Sequence, residues 1–340
     1  MDQQIRALSL GDMFDRTFRI LGSTFVRNLT VGVIVFLPGT LLIAFGLNGF
    51  TASISDLILH HDPAQFGGDA FENFDWQLLT PFIWSILLMM LGVMVFSLGS
   101  LLAGLAMMRT AASAVEGNVL DWDDALRQVS GAVWMRSIGQ AILMGLAVGG
   151  VFLLPYILLL IGAGTGFEVL LGIGIIGILG AIPIVIWLAI RWQFCQTVIA
   201  VEDDTVMHSF SRSSFLVREY WWRTLGILIC FSLAGSFAIQ IVTAPLALIA
   251  MWGFFSGYFQ IIMNASHGTE PSPEIIVSMI RSLGLGYAVF IAVSTLLTQM
   301  FTSVYLVVMY YDLRARKGEF PDPAVSAPQP ANGETGLTFS

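Results

Sequence analysis

The chain has 340 residues, 56% of them hydrophobic and only 11% charged, with a formal net charge of −8 and a mean hydropathy of +0.81. Soluble domains carry about 45–50% apolar and about 25% charged residues, and a water-soluble fold of this size cannot hide so much apolar surface in one core. An ordinary soluble enzyme, a nucleic-acid binder and a disordered chain are excluded, which leaves an all-α, multi-span helical membrane protein.

Asp2, Asp12 and Asp15 interrupt the N-terminus, so it does not read as a cleavable signal. Ser9 followed by Asp12 reads as a helix start, with the carboxylate answering the free N–H groups of the first turn. Leu10, Met13, Phe14, Phe18, Leu21 and Phe25 then recur at helical spacing, with Asp12, Asp15, Arg16 and Arg19 elsewhere on the wheel. This is the pattern of a helix lying in the interface plane. A first apolar span is predicted at 29–50. The polar loop to residue 77 holds His60, His61, Asp62, Glu72 and Asp75. Their spacing supports no closed metal site, and a solvated loop is the better reading. Its aromatics Phe66, Phe71, Phe74 and Trp76 suit contact with headgroups.

A second span follows at 79–108. After it Trp122, Leu126, Val129 and Val133 form a second amphipathic stripe against Asp123, Asp124 and Arg127. Spans three and four, at 137–161 and 166–189, flank a very short turn at 162–165. A third amphipathic stretch (Val206, Phe210, Val217, Trp221) precedes span five at 224–251. The aromatics from Trp252 to Phe259 again suit headgroup contact. Asn264-Ala265-Ser266 matches a glycosylation acceptor, a weak signal in three residues. Span six is placed at 284–310. The membrane domain is set at 1–317, and the Pro-rich tail 318–340 is expected to be disordered. Helix, span, outer loop and span thus recur three times, a weak structural repeat without fixed period.

Fourteen of the fifteen basic residues fall on one side of these spans; Arg281 alone falls on the other. The positive-inside rule then places both termini and the amphipathic stretches in the cytoplasm. A location in a bacterial-type cytoplasmic membrane is expected. Pro38, Pro81, Pro155, Pro183 and Pro245 sit one to a span in the first five, where neighbouring helices can satisfy the freed carbonyls. The glycines of span four and the Gly145/Gly149 pair in span three predict close packing of these two helices. Ionisable groups, which mark transport paths at depth, are nearly absent from the spans. Gln140, Gln240 and Gln299 are read as interhelical hydrogen-bond partners.

No HExxH, GxSxG, Walker loop or CxxC occurs. Cys195 and Cys230 stand far apart and read as small packing residues. No cofactor and no metal are predicted.

Three motifs look familiar. They are Leu8 to Arg19; the middle set Arg191-Trp192, Phe194, Glu202, Arg212-Ser213, Arg218, Trp222-Arg223 and Leu225-Gly226; and Tyr310 to Arg316. Together they resemble the membrane-domain family of glycerophosphoryl diester phosphodiesterases. The resemblance implies a multi-span membrane module without the barrel that carries the family's catalytic residues, for which this chain has no room. The candidate interface motif is Asp15, Arg16, Arg19, Arg191, Glu202, Arg212, Arg218, Arg223, Asp312 and Arg314. The expectation is a non-catalytic scaffold or adaptor at the cytoplasmic leaflet, or an accessory to phospholipid or glycerophosphodiester metabolism. Its partners would be membrane lipids, with a protein partner or second copy and no nucleic acid. The alternative is a transporter of a lipid or small amphiphile, whose cavity the three glutamines would line.

Overall fold

The computed structural model describes residues 7–60, 79–269 and 272–320. Of the predicted outer loop, His60 is the last residue of α1; His61, the loop acids Asp62, Glu72 and Asp75, and the chain beyond Phe320 lie outside the described residues. Among the described residues the chain forms helices and no strand: α1 (Leu10–His60), α2 (Leu79–Val115), α3 (Trp122–Val129), α4 (Ala132–Thr165), α5 (Glu168–Arg191), α6 (Cys195–Glu202), α7 (Val206–Val217), α8 (Trp221–Ala250), α9 (Trp252–Ser266), α10 (Pro273–Ser282) and α11 (Leu285–Arg316). Six of them are long and apolar enough to cross a membrane. Their exposed faces carry Leu146, Leu154, Ile176, Leu179, Phe237 and Ile241, side chains at home only in lipid. The protein is an integral membrane protein.

The first amphipathic stretch is not a separate interfacial helix. It runs straight into span one as a single 51-residue helix, about 76 Å long at 1.5 Å per residue, far more than the ~30 Å hydrocarbon layer. Nothing between Leu21 and Leu29 can break it. Gly22 is the one glycine of that stretch and no proline falls in it, and Asn28 anchors back onto Thr24 by a 3.1 Å hydrogen bond. The expected start is in place: the Ser9 hydroxyl donates to Asp12, 2.8 Å away, and the Asp12 N–H donates back to Ser9, 3.2 Å away. The second and third stretches do form separate helices, α3 and α7. The sequence reading missed α6, and also α9 and α10, which fill the connection between spans five and six.

Glycine sets how closely two helix pairs approach. α1 and α2 pack antiparallel, and a Cβ at Gly39, Gly46 or Gly92 would lie 2.6–2.7 Å from the facing backbone. α4 and α5 pack likewise, with a Cβ at Gly174 coming within 2.6 Å of the Leu159 backbone. The predicted close packing of these two spans is found, but Gly145 and Gly149 do not make it. Both face open space, because the α4–α5 contact uses the turns nearer Gly162.

Burial is concentrated at one end. Residues Ser303–Leu313 of α11 are buried on every side, as a helix apolar all round must be. Ala103–Val115 of α2, the whole of α6 and the inner face of α7 surround them. The α4–α5 hairpin is tied to the rest near this end, where the Trp134 indole donates to the Leu98 carbonyl at 3.2 Å.

Candidate functional site: an ion-paired clasp

At the buried end, the helix termini bring together charged side chains that lie far apart in the chain. The Asp312 side chain, 0% exposed, sits one turn before the end of α11. It accepts from the Leu8 amide at 2.7 Å, from Arg223 Nη1 at 2.6 Å and from Arg316 Nε at 3.1 Å. Both arginines also donate to the Leu8 carbonyl, at 3.1 and 2.8 Å. Both backbone groups of Leu8, just before the first turn of α1, are thereby satisfied.

A second cluster lies beside it. Arg212 on α7 meets Glu319 through both terminal nitrogens at 2.7 Å, and reaches Glu202, at the end of α6, at 3.0 Å. Arg314 donates to Glu319 at 2.7 Å and lies 3.8 Å from Glu202. The Tyr310 hydroxyl donates to Glu202. Two guanidiniums and two carboxylates thus alternate in a closed set. Such bidentate pairs are the strong form of the contact. Arg314 also lies 5.0 Å over Phe320, whose ring stacks on Tyr311. Of the tail expected to be disordered from residue 318, the described residues 318–320 are therefore docked, through Phe320.

The electrostatics follow. Hydrogen bonding to Glu319, helped by Glu202, outweighs burial and raises the Arg212 pKa above its ordinary value. Burial works to raise the Glu319 pKa, but the hydrogen bonds from Arg212 and Arg314 outweigh it and hold the carboxyl below the usual carboxylate range.

Two further arginines fasten the connections. Arg109 donates to Gln128 at 3.0 Å and to the carbonyls of Ala200 and Val201 near the end of α6. Arg136 binds both the carbonyl and the carboxylate of Asp203 at 2.8 Å. Asp203 takes a left-handed conformation at φ 54°, which short polar side chains tolerate. Tyr311 donates to Glu116 at 2.6 Å.

Of the sequence candidates, Glu202, Arg212 and Arg314 form one cluster, and Arg223 and Asp312 the other. Arg16 donates to the Val115 carbonyl at 3.4 Å and joins neither cluster. Arg191 packs over Trp187. Asp15, Arg19 and Arg218 are exposed and join neither cluster. Leu8 and Arg316 stood within the familiar motifs but not among the candidate site residues, and the reading missed Glu116 and Glu319 as partners. Only the charge of Glu116 and Glu319 hinted at them. Among the described residues, no three His, Cys, Asp or Glu side chains converge as a metal site. The geometry of the clasp joins distant chain segments.

The fold and clasp define a six-span helical membrane protein closed at one end by ion pairs. Residues 70–313 match the model of a family described as a domain of unknown function, DUF7847, and the chain belongs to that family. No curated protein matches the chain. No solved structure matches it either.

Proposed function

We propose that the protein is a non-catalytic scaffold or adaptor, with its clasp at the cytoplasmic face of the membrane and both termini inside. The observation that carries this reading is the division of charge at the buried end. Asp312, Arg223, Arg316, Glu202, Arg212, Arg314 and Glu319 are engaged with one another, while Arg19 and Arg218 stay exposed nearby. The engaged set makes a rigid platform. The exposed arginines offer about 1 kcal/mol each toward an anionic leaflet. The resemblance read in the sequence favours an accessory role in phospholipid or glycerophosphodiester metabolism.

The test compares unaltered full-length chain with an Arg19→Gln/Arg218→Gln variant. Bound anionic lipid is measured by native mass spectrometry, and co-purifying protein is measured in mild detergent. Loss of either, with topology unchanged, is expected. Retention of both would leave these arginines as topological anchors and contradict the reading.

A second reading, the handling of a lipid or small amphiphile, is favoured by one observation: a crevice between α8 and α11 lined in part by Gln240. The other two glutamines do not join it. Gln140 is buried beside Met144, and Gln299 lies against Gly104.

A further inference from the structure

The crevice between α8 and α11 has a volume of about 220 Å³. Its walls are two polar stripes at four-residue spacing: Ser232, Ser236 and Gln240 on α8, and Ser294, Thr298 and Thr302 on α11. Each stripe runs about 12 Å along its helix, and Ser232 and Gln240 straddle the midpoint of the 30-residue α8. Phe231, Phe301 and Tyr305 close the end toward the clasp.

In hydrocarbon, a hydroxyl can satisfy itself by bonding back to its own helix. Thr298 does so, donating to the Ser294 carbonyl at 2.8 Å, and Thr243 donates likewise to Ile239. Tyr305 lines the crevice with Ser232 and Thr302. An amide has no such escape, because its two donors and one acceptor cannot all turn back. The side chains of Gln240, Ser236 and Ser294 make no hydrogen bond among the described residues, and Gln240 and Ser236 are exposed. Polar groups left open at this depth are costly.

The lining carries no ionised side chain, so nothing there would balance an anionic headgroup. Whatever enters must dissolve in the bilayer, be uncharged, and present acceptors to Gln240 and the serines together with a donor for the threonine oxygens. We propose that the crevice seats the glycerol-ester region of a neutral lipid of the diacylglycerol type, whose ester carbonyls accept and whose hydroxyl donates. The volume holds about seven water-sized groups at ~30 Å³ each, enough for that polar region while the acyl chains stay in the surrounding lipid. This inference rests on the second reading of function.

The test places the full-length protein in phosphatidylcholine vesicles with a photoactivatable diacylglycerol, and in parallel with a matched phosphatidylglycerol probe. The diacylglycerol should label peptides covering 232–243 and 290–305 in preference to phosphatidylglycerol. A Gln240→Leu/Ser294→Ala variant should lose about fivefold of that label. Phe237→Leu, at an exposed α8 position outside the crevice, should lose none. Equal labelling by both probes, or label unchanged in the crevice variant, would overturn the proposal. So would an intermolecular disulfide through Ser236→Cys with no probe label, which assigns the crevice to a second copy. Probe movement between leaflets is read in the same vesicles. Label without movement beyond that of protein-free vesicles keeps the seat and narrows the handling of the lipid to binding; such movement without crevice label overturns the seat and keeps the handling reading.

Discussion

The Leu8 amide donates to the buried carboxylate of Asp312 at 2.7 Å, across 304 residues of chain. One hydrogen bond thus ties the entry of the first helix to the exit of the last. Arg223 and Arg316 clamp both partners. Asp312 carries one charge against two guanidiniums, so removing it leaves both cations without that partner in a mostly dry site. Breaking such a pair costs about 3–5 kcal/mol. Asp312→Ala should therefore lower the thermal midpoint in detergent more than any exposed substitution, while Asp15→Ala should leave it nearly unchanged.

The C-terminal anchor should respond to pH in one direction only. Glu319 is held below its ordinary value of 4.5 by Arg212 and Arg314, which also face Glu202, itself the acceptor of Tyr310. A depressed carboxyl stabilises the folded form above its unfolded pKa, and the contribution is lost as pH falls through the folded value. The segment from Lys317 to Phe320 should stay docked at neutral pH and through pH 4.5, then release under stronger acid. Hydrogen exchange at Glu319 and Phe320 checks this. Glu319→Gln should release the segment at neutral pH.

Tyr311 and Glu116 offer a contact that can be isolated. Their 2.6 Å bond joins α11 to the end of α2, and hydrogen bonds to charged groups contribute about 1.5–3 kcal/mol. Tyr311→Phe should cost that much. A double-mutant cycle with Glu116→Gln should return most of it as coupling.

Glycines of one type should divide by position. Gly46→Ala sets a Cβ about 2.6 Å from the Met89 backbone and should cost about 1–3 kcal/mol through overpacking. Gly145→Ala meets nothing within 4 Å and should stay within about 0.5 kcal/mol. Unfolding of the two variants in the same detergent measures the difference.

These glycines also mark how far the sequence could be read. Hydropathy located the six spans, because the length of an apolar run is a local property. The Ser9–Asp12 cap was legible for the same reason. Helix pairing is not local. The Gly145/Gly149 spacing matched a packing motif yet faces open space, while Gly39, Gly46 and Gly92, in no such motif, carry the α1–α2 contact. The charged candidates behaved alike. Glu202, Arg212, Arg223, Asp312 and Arg314 stood out by type, but which pairs with which depends on chain segments 10 to 89 residues apart. Glu319 was hidden by the proline- and glycine-rich composition around it, since composition reports the average of a segment and not its one docked carboxylate.

The proposed function requires the ion-paired end of the six spans to face the cytoplasm. In a chain with Cys195 and Cys230 replaced, single cysteines at Ser130 and Ser266, both exposed and at opposite ends of the bundle, are treated with a membrane-impermeant maleimide on intact cells. The account predicts that the cysteine at 266 is labelled at once, and that the one at 130 reacts only after permeabilisation. Labelling at 130 in intact cells would contradict it.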